Sequence, residues 1–305
     1  MAIEILHGVG PSKIDLAYER LGDPGQPVVL LIMGLGAQLI AWPDGFCGEL
    51  VQGGVQVIRF DNRDVGQSTH LTSAPMPNYL GALGGDFSSV SYTLSDMAAD
   101  AVGLLDALGI ESAHIVGASL GGFVAQTLAI EHRTRVLTLT SIMSSTGDRK
   151  VGQPRPETMA IFAMTPPRSR DEAMQNGVKA FAMIGSPKYP TDPARVAERT
   201  GRAYDRAFDP LGVMRQAVAV LASGDRTPEL RRLEVPTLVI HGDADPLVTI
   251  SGGRATAAAI RGAKLVVVEG MAHDLPEPLW AQLATEILAL AKHGSRREEL
   301  PVPQR

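Results

Sequence analysis

Three observations predict an α/β fold, with a mostly parallel central sheet flanked by helices and an inserted helical cap. Short β-branched apolar runs recur along the chain, amphipathic helical stretches separate them, and one region, 147–227, breaks the alternation. Two strand-like pieces come first, around Ile3–His7 and Asp15–Leu21. Val28–Met33 (VVLLIM) is a continuous apolar run with the length and β-branched content of a strand buried on both faces. Further strands are expected at Val55–Asp61, Ala113–Ala118, Val136–Ile142, Thr237–His241 and Lys264–Glu269. In Thr93–Leu108, residues Leu94, Met97, Ala98, Ala101, Leu104, Leu105 and Leu108 share one helical face, with Thr93 as N-cap. Leu120–His132 and Leu279–Ala291 carry the same period.

The organisation that follows is a core in two parts, 1–146 and 228–293, with the cap at 147–227 and an unfolded tail at 294–305. The cap region has no buried strand, several Pro and Gly, and five of the 11 methionines: Met159, Met164, Met174, Met183 and Met214. These read first as packing within the cap, although flexible thioethers also suit an adaptable apolar pocket.

Composition narrows the function classes. The chain has 305 residues and a net charge of −5, with 45% hydrophobic and 20% charged residues, the balance of a globular enzyme. No Lys/Arg-rich block precedes the end of the chain, which argues against a nucleic-acid partner. Aromatics, at 5%, are too few for base- or sugar-stacking platforms. The single cysteine, Cys47, rules out a disulfide framework or a Cys-based zinc site and is expected to be a small buried apolar residue. Glu4 interrupts the place where a signal peptide needs an apolar stretch. The longest apolar run, Pro27–Ala37, is about half the roughly 20 residues a membrane span requires. The expectation is a cytoplasmic protein without a membrane span, a monomer or homodimer that acts on a small molecule without a cofactor.

The informative segment is AHIVGASLGGFVAQTLA, in which Gly117-Ala118-Ser119-Leu120-Gly121 forms a G-x-S-x-G. The pattern alone is weak in a glycine-rich chain. Its context is specific, because a nucleophile elbow needs a buried strand before it and a helix after it, and both are expected here. On such a turn the serine Oγ stands above the sheet, and backbone crowding leaves no room for side chains at 117 and 121. The Leu120 amide then lies at a helix N-terminus, able to donate to a developing oxyanion.

This elbow, the Met-Gly-Leu-Gly after the third strand, the segment His241-Gly-Asp-Ala-Asp-Pro246, and Gly270-Met-Ala-His273 occur in the order found in α/β-hydrolases. The chain resembles that superfamily over roughly 15–292, and within it capped carboxylesterases such as the aclacinomycin methylesterase group and mycobacterial lipase/esterase-like hydrolases. The resemblance implies an α/β-hydrolase fold, a Ser-His-Asp triad and no cofactor.

A serine hydroxyl needs a base to take its proton. Of seven histidines, His7, His132 and His293 lie far from the elbow in the predicted layout, and His114 starts the strand whose other end carries Ser119. His273 follows the last strand on a short loop and matches the Ser…Asp…His order of the fold. His241 is expected to shape the turn after its strand, and His70 to line the pocket rim. For the acid, Asp245 matches the family's G-x-x-D arrangement, whereas Asp243 suits turn hydrogen bonds. A metal pair built on these two with Asp61 and Asp64 lacks a histidine cluster at ligand spacing. Where family enzymes often have His-Gly, this chain has Met33-Gly34. Because the oxyanion donors are backbone N–H groups, Leu35 and Leu120 keep that role, and Met33, Gly34 and Gly36 are expected to line the substrate pocket.

Two rivals come from other classes. Gly34-x-Gly36 between strands resembles a dinucleotide fingerprint, but position 39 is Leu rather than Gly, and Trp42 and Pro43 delay the helix that would receive a pyrophosphate. The loop Asp61–Ser68 (DNRDVGQS) resembles one common in hydrolases instead. A non-catalytic receptor or scaffold on the same fold has no need of all three triad candidates. Ser119 itself disfavours the aspartate-nucleophile branches. Perhydrolases, thioesterases, lactonases and C–C hydrolases share the triad and stay open beside the first expectation, hydrolysis of a hydrophobic carboxylic ester of small to medium size.

Overall fold

The computed structural model describes residues 2–298. Eight strands form one sheet: β1 (Glu4–Val9), β2 (Ile14–Leu21), β3 (Val28–Ile32), β4 (Gln56–Phe60), β5 (Ala113–Ala118), β6 (Val136–Ile142), β7 (Thr237–Gly242) and β8 (Lys264–Val268). Their spatial order is β1-β2-β4-β3-β5-β6-β7-β8. The β1–β2 and β2–β4 pairs are antiparallel and every other pair is parallel. The eight expected strands are all present, with ends shifted by at most two residues.

The alternation of side chains along β3 explains why the sheet is covered on both faces. Leu30 and Ile32 point into one core, against Leu94, Met97, Leu104 and Leu105 of the helix Leu94–Ala107 and Val124 and Leu128 of the helix that follows Ser119. Val29 and Leu31 point into the other, against Phe46, Cys47, Leu50, Leu283 and Ile287. Each such aliphatic side chain contributes about 1.5–3 kcal/mol on full burial. Cys47 is buried, as expected, and burial raises its thiol pKa to about 12.

The helices are α1 (Asp44–Gln52), α2 (Tyr79–Leu83), α3 (Leu94–Ala107), α4 (Leu120–Glu131), α5 (Arg170–Ile184), α6 (Pro193–Arg206), α7 (Pro210–Ser223), α8 (Thr227–Leu230), α9 (Ile250–Ala259) and α10 (Trp280–Glu298). Helix α3 starts where Asp96 accepts hydrogen bonds from both the Thr93 N–H (2.8 Å) and its hydroxyl (2.9 Å). Between β6 and β7 the regular elements among the described residues are all helical: the 3-10 stretch Pro156–Ala163 and α5 to α8. At the C-terminus one expectation is corrected: α10 runs on to Glu298, past Ser295, where the sequence predicts unfolded chain. The rest of that predicted tail, 299–305, lies outside the described residues. Among the described residues no helix is long and apolar enough to cross a membrane.

The strand order places the site. From β3 the chain moves outward to β4, then returns across β3 to β5, so the loops leaving β3 and β5 diverge at the sheet's switch point. Ile32 pairs with Gly117 in register, which brings the Met33–Gly36 loop beside Ser119.

Candidate active site

Ser119 joins β5 to α4 with φ 55° and ψ −121°, a backbone conformation that costs a non-glycine residue about 1–3 kcal/mol. Neighbouring elements hold it there: the Ser119 N–H donates to the Ile142 carbonyl of β6 at 2.9 Å, and its own carbonyl accepts from Gly122 N–H at 2.9 Å. A Cβ on Gly117 would run into the Gly121 carbonyl, and one on Gly121 into the Ile32 carbonyl. Close backbone approach therefore dictates both glycines of the motif.

His273 and Asp245 converge on this serine from the ends of β8 and β7. Ser119 Oγ lies 3.0 Å from His273 Nε2, and His273 Nδ1 lies 2.8 Å from Asp245 Oδ2. Since a carboxylate faces Nδ1, the proton belongs there, which leaves Nε2 free to accept from the serine hydroxyl. Asp245 is buried, and its other oxygen accepts from the N–H groups of Leu247 and Val248, each at 2.9 Å. Burial alone would raise its pKa. The charge of His273 and hydrogen bonds from His241 and His273 outweigh burial and hold the carboxyl well below the usual carboxylate range.

The other candidates take different places. Asp243 accepts the Gly270 N–H at 2.7 Å and ties the β7 turn to the loop that carries His273. His241 donates from Nε2 to the Val248 carbonyl at 2.7 Å, shaping the turn as expected, and that nitrogen also lies 3.5 Å from Asp245 Oδ2. His114 is buried in β5 against Thr138 (3.0 Å), with its pKa pushed down to about 4 by burial. Asp61 and Asp64 do not join Asp243 and Asp245. Asp61 meets Arg206 at 2.8 Å, and Asp64 meets Arg215 in a two-pronged pair at 2.8 Å. Asp64, His70 and Asp209 do converge, their ligand atoms within 4.8 Å of one another. The Arg215 guanidinium bonds both of those carboxylates, so the place of a cation in that cluster is taken.

The Met33–Gly36 loop crosses over the serine so closely that a Cβ at Gly34 would stand 3.1 Å from Ser119 Cβ. Asn62 Nδ2 donates to the Met33 carbonyl at 3.0 Å, and the Gly36 N–H donates to Gln216 Oε1 of α7 at 2.9 Å. The N–H groups of Leu35 and Leu120 have no hydrogen-bond partner among the described residues. The cavity above Ser119 measures about 690 Å³ and is lined by Met33, Gly34, Leu35, Gly36, Leu120 and His273, with Met143 and Met159 among its apolar walls. A second cavity of about 640 Å³ shares Leu35, Gly36 and Tyr79 with it. His70 lines this second cavity rather than the rim of the first, with Met164 and Met214. Met174 and Met183 line neither.

Several supporting residues carry no sequence signal. Ser186, just beyond α5, accepts the Ala272 N–H at 2.7 Å and hydrogen-bonds through its own hydroxyl to Asp274, while His273 N–H donates to the Ile184 carbonyl at 2.9 Å. The helical excursion thus grips the histidine loop from one side and, through Gln216, the Gly36 loop from another. Asn62 falls in the Asp61–Ser68 loop noted for its resemblance, but only the fold reveals what it holds.

Comparison with known proteins identifies the family. A family profile for the alpha/beta hydrolase fold matches residues 27–277. Rhodomycin D methylesterase DnrP of Streptomyces peucetius is 30% identical across 91% of this chain and 95% of its own. The 3-oxoadipate enol-lactonase 2 of Acinetobacter baylyi is 25% identical across 85% and 86%. Among solved structures, a hydrolase from Pseudomonas aeruginosa superimposes with a TM-score of 0.69 at 25% identity, covering 96% of this chain and 98% of that one. The chain belongs to the α/β-hydrolase family.

Proposed function

We propose that this protein is a serine hydrolase that cleaves a carboxylic ester of a hydrophobic small to medium-sized substrate through an acyl-enzyme on Ser119. The observation that carries the reading is the continuous chain Ser119 Oγ–His273 Nε2 (3.0 Å) and His273 Nδ1–Asp245 (2.8 Å). Ser119 Oγ attacks the ester carbonyl while His273 Nε2 takes its proton. Asp245 stabilises the resulting imidazolium. The carbonyl oxygen, now an anion, accepts from the unspent N–H groups of Leu35 and Leu120, each contributing about 3 kcal/mol when aimed at it. As the tetrahedral intermediate collapses, the C–O bond to the alcohol breaks and His273 returns the proton to the leaving oxygen. Water then repeats the sequence on the acyl-enzyme and frees the acid.

The helices between β6 and β7 act in this reading as the cap over the substrate. Methylesterase and enol-lactonase relatives support ester-bond chemistry, and a lactone opens by the same steps, its alcohol staying attached to the acyl group. The test is steady-state and burst kinetics on p-nitrophenyl esters of increasing acyl length, with a lactone alongside. The wild type should show a burst of p-nitrophenol equal to the enzyme present, and Ser119→Ala should lower kcat by about 10⁴–10⁶-fold with an unchanged melting temperature. Retention of kcat within about tenfold in Ser119→Ala would remove Ser119 as nucleophile.

A further inference from the structure

Helix α6 carries arginines at 195, 199, 202 and 206, a spacing that puts all four along one side of the helix. Its two ends are fastened to the core. Arg195 meets Glu277 at 2.7 Å, and Arg206 meets Asp61 at 2.8 Å and Gln38 Oε1 at 2.6 Å. The middle pair is not fastened: Arg199 and Arg202 have no hydrogen bond or ion pair among the described residues. The guanidinium of Arg199 instead lies over the ring of Phe181, 5.5 Å from its centroid.

Arg199 borders both the cavity that holds Ser119 and His273 and an outer cavity of about 420 Å³. The two share Ile40, Ala41, Pro43, Leu275 and Arg199, so Arg199 is the charged side chain on their common wall. The outer cavity also presents Asp44, Arg195, Glu198, Arg202 and Glu277. Asp44 is paired to Arg59, which also meets Glu19, and Arg195 to Glu277; among the described residues Arg199 and Arg202 form no ion pair with any of these carboxylates. Asp274, the acid on the inner side, hydrogen-bonds through one oxygen to the Ser186 hydroxyl and its N–H (3.0 Å). It lies beyond ion-pair distance of Arg199. Arg199 as a whole is exposed, so an arriving ligand can reach it.

We infer that Arg199 is a specificity-determining residue that receives a carboxylate carried by the substrate, so that the preferred ester bears a free acid group remote from the bond cleaved. A guanidinium offers a planar fork that matches a carboxylate, and among the described residues no carboxylate of the protein holds Arg199. This inference rests on the ester-hydrolase reading and names its substrate class.

The test uses two esters of matched length, p-nitrophenyl hydrogen glutarate, with a free carboxylate, and p-nitrophenyl valerate, without one. In Arg199→Gln the ratio of kcat/KM for the anionic over the neutral ester should fall about tenfold, through KM, and Arg199→Lys should recover part of it. In the wild type that ratio should also decline with added salt. An unchanged ratio in Arg199→Gln overturns the inference. So does an equal loss on both esters, which would mean that Arg199 serves Asp274 and the histidine loop instead. Calorimetric binding of monomethyl glutarate to Ser119→Ala, with and without Arg199→Gln, separates this from the parent reading. Binding that requires Arg199 in a wild type that turns over neither ester keeps the inference and discards the esterase. Turnover of both esters, with ratio and binding indifferent to Arg199, does the reverse, and absence of both turnover and binding removes both.

Discussion

Asp245 and Asp243 stand two positions apart and do different work. Asp245 is buried, accepts two backbone N–H groups on one oxygen and faces His273 with the other, whereas Asp243 is exposed and bonds the Gly270 N–H. Asp245→Asn should lower kcat by about 10⁴-fold, because an amide at that position admits the wrong imidazole tautomer. Asp243→Asn keeps an acceptor for Gly270 and should cost far less; side-by-side kinetics of the two variants checks the assignment. The greater loss in Asp243→Asn would contradict it. At this scale the sequence is informative where covalent geometry is demanding. Ser119 is legible from its flanking glycines and His273 from its place after the last strand. Leu35 is legible only because its N–H, not its side chain, would act. Asn62, Gln216 and Ser186 leave no trace, since a side-chain amide or hydroxyl hydrogen-bonding across elements separated by tens to hundreds of residues obeys no local spacing.

Among elements, the elbow leaves no room for side chains at its two glycines. A methyl group at position 121 would meet the Ile32 carbonyl at the centre of the sheet, where β3 cannot move away from β4 and β5. Gly121→Ala should therefore destabilise the protein by more than about 2 kcal/mol and displace the Leu120 N–H, lowering kcat by more than the stability loss accounts for. Chemical denaturation alongside activity measured well below the melting temperature checks this. Near wild-type values for both would show that the elbow tolerates side chains. The buried strands are legible almost to the residue, because a β-branched run flanked by turn residues has no competing structure of similar length. The end of α10 is less so. The sequence Ser295-Arg-Arg-Glu298 lacks apolar residues, yet it extends a helix already nucleated by the packed residues before it.

For the whole molecule, the joint between the core and the α6–α7 helices governs the shape of the two cavities. His70 is central to that joint: Nδ1 lies 2.9 Å from Asp209, the N-cap of α7, and Nε2 lies 2.9 Å from the Gly66 carbonyl. Both partners are acceptors, so both contacts are satisfied only by the imidazolium. Burial opposes that charge, but the Gly66 carbonyl and Asp209 outweigh it and raise the pKa. A raised histidine pKa contributes stability that is full below the unfolded value of about 6.5 and is lost as pH rises through the folded pKa. The melting-temperature gap between wild type and His70→Gln should therefore be widest below about pH 6.5 and narrow as pH rises above it. A gap independent of pH would show that the ring is held neutral. None of this joint is legible in the sequence beyond the presence of a helical excursion, because its ion pairs join residues such as Asp64 and Arg215 that only the completed fold brings together.

The central claim is that the fold assembles an activated serine at position 119, and fluorophosphonate labelling with mass-spectrometric mapping of the modified peptide tests it most directly. The account predicts a single adduct on Ser119 of the folded protein, absent after heat denaturation before labelling and strongly reduced in His273→Ala. Folded protein that hydrolyses no ester and takes no label at Ser119, or takes it equally after denaturation, would contradict it.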